Sequence, residues 1–179
     1  MFSKENTVLL IVDMQERLLP HIHESEALLG KTAALIECCK ALGIPILVTE
    51  QYPEGIGPTV PQLAQSIVNC QKISKRTFSC CRELKFMEAL KTLRRKQIIM
   101  AGIETHVCIF QTAADLAGGG YAVQVISDAV GSRTPANKAI GLERIKMLGA
   151  GISSVESSVF ELLETSACPE FKQILSHLK

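Results

Sequence analysis

Apolar runs and polar breaks alternate along this chain at a spacing that predicts strands followed by helices. Residues 7–15 read Thr-Val-Leu-Leu-Ile-Val-Asp-Met-Gln, five consecutive aliphatics ending on a carboxylate, the pattern of a strand buried on both faces. After a loop holding His21 and His23, apolar positions recur at helical spacing over 24–42 and stop at Gly43, and residues 44–49 give a second strand. Residues 50–58 combine rigid prolines, permissive glycines and polar tips, as an active-site or interface loop needs. The pattern then predicts a short helix over 59–66, a strand over 68–74, a helix over 81–94 and a strand over 97–101. A helix over 105–116 ends at Gly118-Gly119-Gly120; these glycines follow the helix, so they read as its stop and not as a phosphate cradle. A fifth strand over 121–127, a helix over 135–148 opening on Pro135, a sixth strand over 152–155 and a helical tail complete the chain.

Such alternation predicts an α/β fold in three layers, a doubly wound parallel sheet with right-handed crossovers and helices on both faces. At 179 residues, one domain spanning 1–179 is the expectation. A formal charge of +1 and the lack of a basic run give no electrostatic case for nucleic acid. No apolar stretch approaches a membrane span, and the few polar residues before the first strand do not read as a signal peptide, which together point to a cytoplasmic protein. Seven cysteines, an odd number, cannot all pair within one molecule. Cys38-Cys39 and Cys80-Cys81 are adjacent pairs without the Cys-x-x-Cys spacing of redox or zinc sites, and are expected to be small packing residues.

Chemistry concentrates just past the C-terminal ends of three strands, the edge where open α/β sheets build sites. The fourth strand runs through Gly102-Ile103-Glu104-Thr105-His106-Val107 into a helix with Cys108 in its first turn. A helix N-terminus offers unpaired N–H groups and partial positive charge, so Cys108 is expected to be a nucleophile with a lowered pKa. Asp13, ending the first strand, is the candidate base, and Lys75, after the third, the candidate electrostatic partner; Arg76 competes for that role. His106 lies two residues from Cys108 and would not share its helix face, so it reads as pocket rim or cap. Gln15 is expected to order the Asp13 turn, and Glu50, Tyr52 and Phe78 are candidate pocket walls. His21 and His23 alternate like metal ligands but lack converging partners, so neither a metal nor a cofactor is expected.

Five segments in register resemble the isochorismatase-like cysteine hydrolases, the superfamily that also holds nicotinamidases and carbamoylsarcosine amidohydrolases. They are Val12-Asp13-Met14-Gln15, Thr49-Glu50-Gln51-Tyr52-Pro53, Lys75-x-x-Phe78-Ser79, Gly102-Ile103-Glu104-Thr105-His106-Val107-Cys108 and Ser127-Asp128-Ala129-Val130-Gly131-Ser132-Arg133. The resemblance implies a six-stranded sheet of order 3-2-1-4-5-6 and a catalytic triad of Asp13, Lys75 and Cys108. It further implies an oxyanion hole from the backbone N–H groups of Glu104 and Cys108, presented by a cis peptide between Ile103 and Glu104, and a homo-oligomer, dimer or larger. Substrate contacts are expected from Gln15, Glu50, Tyr52, Phe78 and His106. The Asp-x-His metal cluster of nicotinamidases is missing after the second strand, and isochorismatases that cleave a vinyl ether lack the cysteine. The expected activity is therefore metal-independent hydrolysis of a small amide or related acyl C–N substrate through a thioester. A non-catalytic scaffold of the same fold and an ether-type activity stand as alternatives. A dehalogenase-type phosphatase fails at Gln15, where it needs a second Asp.

Overall fold

The structure is a computed structural model and describes residues 1–178. In chain order, β1 (Thr7–Val12) leads through a 3-10 turn (Leu19–His21) to α1 (Ser25–Ala41) and β2 (Ile46–Gln51). Short helices α2 (Pro53–Ile56) and α3 (Pro61–Ala64) precede β3 (Gln71–Lys75), and a 3-10 turn (Cys80–Arg82) precedes α4 (Leu84–Thr92). Then come β4 (Gln97–Ile103), a π turn (Thr105–Ile109), α5 (Phe110–Gly118), β5 (Ala122–Gly131), α6 (Pro135–Met147), β6 (Gly151–Ser153), α7 (Val155–Leu163) and α8 (Phe171–Leu178). The six strands form one parallel sheet in the order β3-β2-β1-β4-β5-β6. The α/β/α architecture and the strand order agree with the sequence reading.

Strand alternation divides the core in two. From β1, Leu9 and Ile11 join Leu35 and Ile36 of α1 and Val159 and Leu162 of α7, with Ile174 of α8 in the same layer. Val8, Leu10 and Val12 face the other way, against Phe86 and Leu90 of α4, Leu116 of α5 and Ile145 of α6. Every residue of β1 is buried because a central parallel strand has helices over both pleats. Each fully buried Leu or Ile contributes about 1.5–3 kcal/mol relative to exposure, so β1 is the spine on which both layers rest.

Boundaries differ from the expectation where polar residues belong to the sheet. β2 extends through Glu50 and Gln51, which pair with Ser74 and Lys75 of β3. β5 continues to Gly131 past a register shift, pairing Val130 with Gly102 and Gly131 with Ile103. Ser127 and Asp128 interrupt the apolar run there, and their side chains bond Ser153 O and Val155 N across to the next elements. The helix expected over 81–94 is shortened by the 3-10 turn, which Ser79 caps by accepting from Cys81 N–H.

All seven thiols are unpaired. Burial pushes Cys38 and Cys80 up to about 11, and raises Cys39 as well. In the unfolded chain these thiols ionise near the ordinary 9.0. A raised folded pKa gives stability that is full below the unfolded value and lost as pH rises toward the folded one, by up to about 1.4 kcal/mol per pH unit for each thiol. The melting temperature should therefore fall progressively above about pH 9, with protons released on unfolding; a flat melting temperature from about pH 8 to about pH 10.5 would contradict this.

Candidate active site

The C-terminal ends of β1, β2, β3 and β4 converge on one buried ion pair. Lys75 Nζ donates to Asp13 Oδ2 at 2.7 Å, and both side chains are at most 1% exposed. Parallel register explains the meeting: Val12 pairs with Thr49, and Gln51 with Lys75, so residues at the ends of adjacent strands arrive level with one another. Lys75 Nζ also donates to Gln51 Oε1 at 2.7 Å and lies 3.3 and 3.4 Å from the carbonyls of Thr77 and Phe78. Burial works to depress the ammonium pKa, but the Asp13 carboxylate, by its charge and its hydrogen bond, opposes it, and Lys75 is held above its ordinary value.

Asp13 sits in the left-handed region at φ 52°, a conformation that short polar side chains tolerate better than most. Its N–H still donates to Thr49 O at 3.1 Å, so the turn begins only after the last ladder bond. Gln15 fixes the turn. Its amide accepts from Gln51 N–H at 2.7 Å and donates to Gln51 O at 3.0 Å and Gly57 O at 2.6 Å, stitching the Asp13 turn to the end of β2. Fully buried and so engaged, Gln15 orders the turn and faces no open space.

Cys108 is buried on the π turn, where Asp13 and Lys75 are the charges that act on its thiol. Val107 and Ile109 N–H both donate to Glu104 O, at 3.0 and 3.2 Å, and the second, five residues back, widens the turn beyond an α-helix. The peptide between Ile103 and Glu104 is cis. Two glycines permit the close approach. Gly102 has φ 118°, and a Cβ there would overlap Val12 O, so β4 can press on the end of β1 only without a side chain. A Cβ on Gly141 would lie 2.8 Å from His106 N, so α6 packs directly on the π-turn backbone.

The expected low thiol pKa of Cys108 is not found. Burial, then the negative charge of Asp13, push it well above the ordinary value, and Lys75 opposes them without prevailing. The resting arrangement is a neutral thiol beside a carboxylate and an ammonium.

Other expected contacts are scattered around this centre. Glu50 accepts from Thr59 N–H and Oγ1 at 2.8 and 2.7 Å, which ties down the loop after β2. Tyr52 and Phe78 are 38% and 55% exposed, and Arg76 stacks on Tyr52 with its guanidinium 3.6 Å from the ring centre. Arg76 is thus on the surface, and the buried cation is Lys75. His106 Nδ1 lies 3.0 Å from Ser132 Oγ, and Glu104 is held by Arg133 through contacts of 3.0 and 3.1 Å. His21 and His23 are exposed on the 3-10 turn and just after it. Among the described residues no group of three or more His, Cys, Asp or Glu could hold a metal ion.

Three residues of the centre escaped the sequence reading: Thr49, whose hydroxyl donates to Asp13 Oδ1 at 2.8 Å, Gln51, and Cys80. Thr49 and Gln51, two apart at the end of an apolar strand, share one side of it, and that spacing was the available signal. Cys80 packs in the core as expected and in addition places its Sγ 3.7 Å from Thr49 Oγ1. Nothing in an adjacent Cys-Cys pair distinguishes it.

Residues 7–157 match the isochorismatase domain model. Isochorismatase domain-containing protein 2A of Mus musculus is 36% identical over 177 residues, covering 98% of this chain and 84% of the relative. The secreted isochorismatase effector Isc1 of Phytophthora sojae is 35% identical over 178 residues, covering 97% and 85%. Among solved structures, MAR1 ribonuclease from Caenorhabditis elegans superposes with a TM-score of 0.94 at 32% identity, covering 99% of this chain and 91% of that one. YcaC from Pseudomonas aeruginosa, solved with hexane-2,5-diol and covalent acrylamide, gives 0.93 at 25% identity, covering 98% and 90%. The domain match, the relatives and the fold agree, and the chain belongs to the isochorismatase-like hydrolase family.

Proposed function

We propose that this protein is a cysteine hydrolase that cleaves a small amide or related acyl C–N substrate through a covalent thioester, with Asp13, Lys75 and Cys108 as its triad. The observation that carries this reading is the Asp13–Lys75 pair: two opposite charges, both buried, whose fields act on the buried Cys108 thiol. Asp13 is the general base and takes the Cys108 proton as sulfur attacks the substrate carbonyl. The tetrahedral oxyanion is received by the backbone N–H groups of Glu104 and Cys108. Asp13 returns the proton to the leaving nitrogen, and the C–N bond breaks to leave the thioester. Water, losing a proton to Asp13, then attacks the thioester carbonyl, and collapse of the second intermediate releases the acid and restores the thiol. Lys75 holds Asp13 in place through its 2.7 Å hydrogen bond. Tyr52, Phe78 and His106 contact the substrate at the rim. No step requires a metal or cofactor.

The same reading includes a homo-oligomer in a reducing, cytoplasmic setting. Ile140 and Met147 of α6, Leu148 just after it and Ile152 of the edge strand β6 are exposed apolar residues, Met147 at 81%, and such residues are what a symmetric interface covers. Seven unpaired thiols suit a reducing compartment. Among the described residues no helix is long and apolar enough to cross a membrane.

If Asp13 is the base, the resting thiol is protonated. Far-ultraviolet thiolate absorbance of the protein and of Cys108→Ala should rise together up to about pH 9. Asp13→Asn, which removes the opposing charge and leaves Lys75, should bring the Cys108 thiolate in at lower pH than in the wild type. A thiolate signal at neutral pH that vanishes in Cys108→Ala would refute the base assignment.

Screened against small primary amides and N-carbamoyl compounds, the protein should turn over at least one, and Cys108→Ala should lower that rate by about a thousandfold or more. Cys108→Ala with wild-type turnover would overturn the mechanism. RNA belongs in the same screen because of the C. elegans neighbour: RNA cleavage with no amide turnover would replace the substrate assignment.

Light scattering at micromolar concentration should give a multiple of the 19.5 kDa chain mass. A monomer there would remove the oligomer from the reading.

A further inference from the structure

The two oxygens of Asp13 have different keepers. Oδ2 accepts from Lys75 Nζ, and Oδ1 accepts from the Thr49 hydroxyl at 2.8 Å. Thr49 is fully buried, and its oxygen in turn accepts from Cys80 Sγ at 3.7 Å, so its single proton is committed to Asp13. Lys75 does not fix the carboxylate plane by itself, because its ammonium is shared with Gln51 Oε1 at an equal 2.7 Å. The charged and titratable groups around Asp13 are Lys75 at the end of β3, Cys80 on the 3-10 turn that follows, and Cys108 on the π turn after β4. Thr49, from β2, is a neutral donor to the same carboxylate.

A hydroxyl at this position is not needed for the strand. Valine has nearly the same shape and an equal or better strand propensity, and Val48 precedes it in the same buried run. What valine cannot do is donate to a buried carboxylate. We propose that Thr49 is a positioning residue for the hydrolysis: its hydroxyl holds Asp13 Oδ1 and fixes the carboxylate plane for the transfer of the thiol proton. The inference rests on the assignment of Asp13 as the base. Each proton transfer to Asp13 places a proton on a carboxylate already anchored at both oxygens, so the group does not turn between the acylation and deacylation steps.

The test uses p-nitrophenyl acetate as an acyl probe, taking the rate of each variant over that of Cys108→Ala. Thr49→Val should lower kcat by about tenfold with KM within about twofold of wild type. Thr49→Ser, which restores the hydroxyl, should recover kcat. If Thr49→Val fails to fold by circular dichroism, Thr49→Ala takes its place with the same expected loss. A valine or alanine variant with wild-type kcat, or a serine variant that does not recover it, overturns the positioning role while leaving the cysteine mechanism standing. Wild-type ester hydrolysis by Cys108→Ala overturns the mechanism itself, and the positioning role with it.

Discussion

A buried lysine bonded to a buried aspartate constrains everything around it. Taking both charges out of water costs several kcal/mol per ion, which their mutual attraction repays only when the remaining protons and lone pairs are satisfied. Here they are satisfied: Gln51 and the carbonyls of Thr77 and Phe78 surround the Lys75 ammonium, and Thr49 holds the second oxygen of Asp13. Loss of either charge would leave the other uncompensated, a change of about 3–5 kcal/mol. Such a pair is weak evidence of stability for its own sake, and its place at the sheet edge beside a thiol gives it chemical meaning.

The backbone around the pair is bent to serve it. β1 ends on a left-handed aspartate, β4 presses on β1 through a glycine, and the chain after β4 widens into a π turn before α5 begins. Gln15 spends its whole amide on stitching two of these segments together, and Glu50 holds the next loop through Thr59. Two residues named in advance as substrate contacts thus work on the frame that shapes the opening, while the exposed aromatics Tyr52 and Phe78 remain at its surface.

The electrostatics divide labour in a way that a helix-terminus argument alone does not suggest. A thiol at a helix start would ionise if the positive end of the backbone were its only neighbour. Cys108 is also buried and faces a carboxylate, and these push its pKa up. That neutral thiol is why the proposed mechanism needs a base, the role it gives to Asp13. The same burial raises other core thiols: Cys38 and Cys39 have no comparable base and cation beside them, while Cys80 shares Asp13 and Lys75 with Cys108.

The sequence by itself determined the strand and helix alternation, the strands that end on Asp13 and Lys75, and the turn that carries Cys108. It could do so because apolar periodicity and the position of a polar residue at a strand end are local properties. The strand order came from resemblance to a family, since no local pattern states which strands lie side by side. Only the tertiary structure decided which polar groups share the buried centre. Thr49 and Gln51 look like ordinary strand-end residues until β2 is laid between β1 and β3, and Cys80 looks like packing until the 3-10 turn brings it against Thr49. The protonation of Cys108 was settled there as well, because a pKa depends on the summed burial and charge of neighbours that lie tens of residues away in the chain.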